Sequence, residues 1–75
     1  MKKETFIKTG VALFGPLWQT SLAKALKVND RTVRRWISGE HPVPDGVSFD
    51  LLHLVQDRIK TFNGLIQKIQ KDHDK

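Results

Sequence analysis

Residues 19–38 read QTSLAKALKVNDRTVRRWIS. Two apolar sets recur there at helical spacing: Leu22, Ala23 and Leu26 in the first half, Val33, Trp36 and Ile37 in the second. Residues three and four apart stack along one side of a helix, so each set makes one inward face. Between the sets Lys27 and Val28 interrupt the period, and Asn29 offers a side-chain oxygen that can cap the first amides of the second helix. Gly39 stops that helix. The stretch is therefore predicted to be two short helices joined by a tight turn.

The pattern extends in both directions. Upstream, Phe6, Ile7, Val11 and Phe14 form an amphipathic stretch that ends at Gly15-Pro16, with Gly10 as an earlier punctuation point. The next helix is expected to start between Trp18 and Thr20, where Thr20 or Ser21 either caps it or leaves Gln19 and Thr20 free for another role, with Trp18 packing as a core or staple residue before it. Downstream, residues 39–47 hold Pro42, Pro44 and two glycines and read as a loop. From Ser48, a good N-cap, a long amphipathic helix is predicted over about 48–72. Apolar and polar residues nowhere alternate for long, so the fold class is all-α.

The 75 residues make one domain, 1–75, because two would each be too small to form a core. There is no cysteine, and the longest apolar run is Val11-Ala12-Leu13-Phe14, far short of the roughly 20 residues a bilayer span needs. A soluble domain in the reducing cytoplasm is expected. Thirteen Lys and Arg against eight Asp and Glu give a net charge of +5, and a pI near 9.9 favours polyanionic partners.

The last helix carries a second signal. Leu52, Val55, Ile59, Phe62, Ile66 and Ile69 are spaced 3, 4, 3, 4 and 3, which is a heptad seam. The first half is expected to close the core of the monomer. The second half, with Phe62, Leu65, Ile66 and Ile69, is expected to form a dimer interface. Asn63-Gly64 leaves open whether one helix ends there and another begins.

Residues 19–38 resemble the helix-turn-helix of the Cro/repressor family, with its lambda-repressor-like fold. The resemblance rests on Ala23 at the close crossing of the two helices, on Leu22 and Leu26 facing inward, on Val28 in the turn, and on Val33 and Trp36 inward on the second helix. It covers about a quarter of the chain and implies a four- to five-helix domain with a long C-terminal helix. One departure is Lys27, which stands at the turn position usually given to glycine and requires a positive φ.

The resemblance implies that the second motif helix enters the major groove of double-stranded DNA. Its outward residues Asn29, Asp30, Arg31, Arg34, Arg35 and Ser38 are then the candidates for reading bases. Arginine suits guanine, because its planar fork pairs with O6 and N7 together. Asp30 has a competing role at the positive end of the helix dipole, or in holding Arg34 one turn on. Gln19, Thr20, Lys24 and Lys27 are the candidate phosphate contacts, since the start of a helix presents free amides.

Nothing points to catalysis. His41, His53 and His73 lack ligand spacing, and no nucleophile is paired with a base. No metal or cofactor is expected. The leading expectation is a sequence-specific transcriptional regulator, a homodimeric repressor on a palindromic operator that autoregulates a small phage, plasmid or mobile-element operon. The alternative, from another class, is an antitoxin-like module that grips a partner protein through its C-terminal helix.

Overall fold

The computed structural model of the chain describes residues 1–74, and all the regular structure among them is helical. Its elements are α1 (Lys3–Phe14), a single 3-10 turn (Gly15–Leu17), α2 (Trp18–Leu26), α3 (Asp30–Ser38) and α4 (Asp45–His73). The expected four to five separate helices are instead three continuous helical stretches, because the 3-10 turn leads α1 directly into α2. Gly15 takes φ 78° with ψ −155°, a conformation open essentially to glycine alone, and Pro16 stands second in the 3-10 turn with its φ already set. The chain therefore bends at Gly15 without leaving helical geometry for long. A capping role for Thr20 or Ser21 does not hold: α2 starts earlier, at Trp18, after Leu17.

The core is built around Phe6, which is fully buried. Its ring stands edge-on to Trp18 at 5.8 Å and to Trp36 at 5.6 Å between centroids, the arrangement the ring quadrupoles favour. Leu22, Ala23, Val33, Val43, Val47 and Leu51 complete the buried set. Leu26 and Val28, expected inside, are half-buried at its edge, and Val11 of the first amphipathic stretch is exposed. Gly10 is not punctuation. It lies within α1, and the face of the Trp18 indole occupies the space where a side chain would stand.

The α2–α3 turn is closed by backbone alone. Lys27 has φ 60° and ψ 40°, the left-handed conformation its position demanded. Its amide donates to the Lys24 carbonyl, and the Val28 amide donates to the Ala23 carbonyl at 2.9 Å, which together form a Schellman cap. Glycine holds this conformation without the Cβ penalty, so Lys27→Gly should stabilise the domain by about 0.5–1 kcal/mol. In a domain this small that is a rise of several degrees in Tm by calorimetry. A lower Tm would remove the strain assigned to Lys27.

α4 begins three residues before Ser48. Pro44, with φ −62° and ψ 149°, delivers the chain in an extended approach, and its carbonyl accepts from the Val47 amide. Asp45 then stands in the first turn, where a carboxylate complements the helix dipole. The helix runs 29 residues without a break at Asn63-Gly64.

Its packing reverses one expectation. The side chains that close the core are Val47 and Leu51, with Leu54 packed against them, and not the first half of the heptad seam. Leu52 is 54% exposed and Ile59 52%. Two adjacent apolar stripes run along α4, and the one at 47, 51 and 54 faces the other helices. The seam one position around is left outside. From Lys60 to Asp74 every residue is exposed, and α4 projects from the body to give a molecule 54 Å long and about 22 Å across. Among the described residues no helix is long and apolar enough to cross a membrane.

Candidate nucleic-acid interface

The outer face of α3 follows from its spacing. Val33 and Trp36 are buried against Phe6 and Leu22, so residues 30, 31, 34, 35 and 38 occupy the opposite side. Arg31, Arg34 and Ser38 are exposed, while Asp30 and Arg35 are half-exposed. Arg31, Arg34, Arg35, Ser38 and Glu40 line one open depression. Gln19, from the first turn of α2, joins Arg34, Ile37 and Ser38 in the next. The start of α2 and the outer face of α3 thus lie side by side on one open surface.

The candidate base-reading residues are not equally available. Asn29 caps α3: its Oδ1 accepts from the Thr32 amide at 2.9 Å and from the Thr32 hydroxyl at 3.0 Å. Bidentate recognition of adenine needs both ends of the amide, and the oxygen is already engaged. Ser38 is similarly committed, since its hydroxyl donates to the Arg35 carbonyl at 3.1 Å and accepts from the Glu40 amide at 3.3 Å. Asp30 accepts from the Thr20 hydroxyl at 3.5 Å, a link between the first turns of α2 and α3. The suggested i,i+4 pairing of Asp30 with Arg34 does not form. Arg31 and Arg34 have no ion-pair partner among the described residues.

Glu40 had no role in the sequence reading. It lies 3.8 Å from Arg35 Nε, brought back towards α3 by Gly39, whose φ of 84° turns the chain at the helix end. At that distance the contact is an ion pair through Nε and not a hydrogen bond, and Arg35 stays half-exposed. A glutamate two residues beyond a helix carries no local signal of this pairing; the signal was the glycine before it.

Gln19, Thr20, Lys24 and Lys27 are all exposed on α2 and its cap. With Arg31, Arg34 and Arg35 they set five cations against one acid, Asp30, between residues 19 and 38. That surface can attract phosphate along the α2 side and present planar donors along the α3 side. Comparison with protein-family models, curated proteins and solved structures gives no match to this chain, so the meaning of the surface is carried by its own residues.

Proposed function

We propose that this protein is a sequence-specific DNA-binding transcriptional regulator of the lambda-repressor-like, Cro/repressor type, a homodimeric repressor rather than an enzyme. The observation that carries the reading is the outer face of α3, where Arg31, Arg34 and Arg35 stand together opposite the buried Val33 and Trp36. α3 is the reading helix in the major groove, and Arg31, Arg34 and Arg35 contact bases. Asn29 and Ser38 hold the ends of that helix, and Gln19, Thr20, Lys24 and Lys27 attend to phosphates. One such helix spans only a few base pairs. A two-fold pair reads half-sites about 34 Å apart and gains affinity from their linkage.

The test is binding to duplexes selected from a random pool, followed by fluorescence anisotropy on the selected site. An inverted repeat should emerge, and log affinity should fall against log salt by about 0.9 for each phosphate neutralised. Arg35→Ala should cost about 1–3 kcal/mol on the selected site and less on unrelated DNA. Replacing Arg31, Arg34 and Arg35 together by alanine should abolish selective binding, with the helical circular dichroism retained because none of the three is in the core. Unchanged binding by that triple variant would overturn the reading. The antitoxin-like alternative draws on the exposed seam of α4 and predicts no selected site and a monomer without its partner.

A further inference from the structure

We propose that two copies of this chain pair α4 against α4 in antiparallel sense, with the C-terminal turns of each helix seated in the groove between α1 and α4 of the other. The inference deepens the homodimer of the reading above and does not depend on DNA.

The groove is an apolar depression of about 290 Å³ formed by Ala12 and Leu13 of α1 with Val55, Ile59 and Phe62 of α4; Arg58 also lines it, with its guanidinium 5.2 Å over the Phe14 ring. It continues directly into the exposed seam, where Phe62 is 54% and Ile69 65% exposed. A surface that begins between two helices and runs on along one of them fits a third helix laid alongside. The chain has one segment of matching length and apolar spacing, which is the second half of α4 itself.

Charge fixes the direction and the register. With Ile59 opposite the second copy's Ile69, Phe62 falls opposite its Ile66, and four of the six seam residues of each helix are paired with one another. Arg58 precedes Ile59 by one residue, and Asp72 follows Ile69 by three. In an antiparallel pair these positions flank the same layer on the same side, so Arg58 of each copy meets Asp72 of the other. Flanking charges of this kind set partner and orientation in paired helices. Leu65 meets its own counterpart across the two-fold axis.

The alternatives lack this match. A shift of one heptad towards longer overlap sets Asp72 against Leu51, which is buried in its own core, and Arg58 against Leu65. A parallel pair brings Arg58 beside Asn63, which carries no charge, and sets two chains of net charge +5 in the same sense side by side. It also leaves the α1–α4 groove facing no C-terminal turn.

The chain has no cysteine, so single cysteines at exposed outward positions can carry spin labels for distance measurement. His53→Cys and Gly64→Cys serve, since His53 is exposed and a side chain added at Gly64 meets open space. In the antiparallel register the axial separation of the two labels is about 33 Å at position 53 and near zero at position 64, from a rise of 1.5 Å per residue. The measured distance should therefore be longer at 53 than at 64 by at least about 10 Å. In parallel pairing the two distances are alike. Asp72→Arg alone should raise the dimer dissociation constant about fivefold by sedimentation, and adding Arg58→Asp should return most of the loss.

Equal label distances, no rescue by the double charge reversal, or a wild-type chain that sediments as a monomer at tens of micromolar would each overturn the proposal. An antiparallel dimer that selects no DNA sequence would remove the DNA reading and leave this one standing. A monomer that selects a site would do the opposite.

Discussion

Phe6→Ala is expected to lower the urea midpoint of unfolding more than any other single truncation in the core. Phe6 is the one aromatic side chain with no exposed surface, and it touches both tryptophans edge-on, which makes it the point where α1 meets α2 and α3. Truncating a buried phenylalanine typically costs about 3–5 kcal/mol, the lost transfer energy plus the cavity left behind. A chain of this size has about 4–11 kcal/mol of total stability by the usual per-residue range, so the loss takes about a quarter of it at the least and all of it at the most. Phe6→Leu keeps most of the volume and forfeits the edge-on contacts, and should cost less than half as much. Urea titration followed by helical circular dichroism measures both. A Phe6→Ala protein that unfolds at the wild-type midpoint would show that the three helices are held by something other than this aromatic cluster.

Gly10→Ala should also destabilise the domain, against the sign that helix propensity gives. Alanine in place of an interior helical glycine ordinarily gains about 1 kcal/mol. Here a Cβ at position 10 would stand 2.7 Å from Trp18 Cζ3 and 2.8 Å from Cδ2, with Cε3 closer still. Those are ring atoms of a buried side chain, with Phe6 on another side of it, so the indole has little room to withdraw. Overpacking of this kind costs about 1–3 kcal/mol, occasionally more, and should exceed the gain in propensity. The decisive measurement is a double-mutant cycle. In a Trp18→Leu background the collision is absent, and Gly10→Ala should become neutral or stabilising. A destabilisation of equal size in both backgrounds would mean that the cost lies elsewhere than in the indole contact.

The two helices of residues 19–38, the turn between them and the stop at Gly39 were legible because each depends on groups within a few residues of one another. Asn29 caps α3 through the Thr32 amide three residues on. Lys27 must turn left-handed for the Ala23 and Lys24 carbonyls to be met. The inward and outward faces of α3 then follow from periodicity, which is why Arg31, Arg34 and Arg35 could be placed together from spacing alone. The same reasoning could not show that Ser38 spends its hydroxyl on the end of α3. That depends on rotamers, and a residue type permits several.

By itself, then, the sequence determined the helical class, the α2–turn–α3 unit, the arginine face of α3 and the length of α4 to within a few residues. These rest on local hydrogen bonds and on the 3.6-residue period, both written in the order of residues. Tertiary structure alone decided which of two neighbouring stripes on α4 enters the core. Val47, Leu51 and Leu54 differ from the heptad seam by a rotation about the helix axis, and only the shape of the α1–α3 surface selects between them. It also decided that Gly10 serves as the seat of Trp18 within α1, and that Glu40 returns to Arg35. Each of these contacts joins a helix to a residue outside it, and there the period of a single helix carries no information.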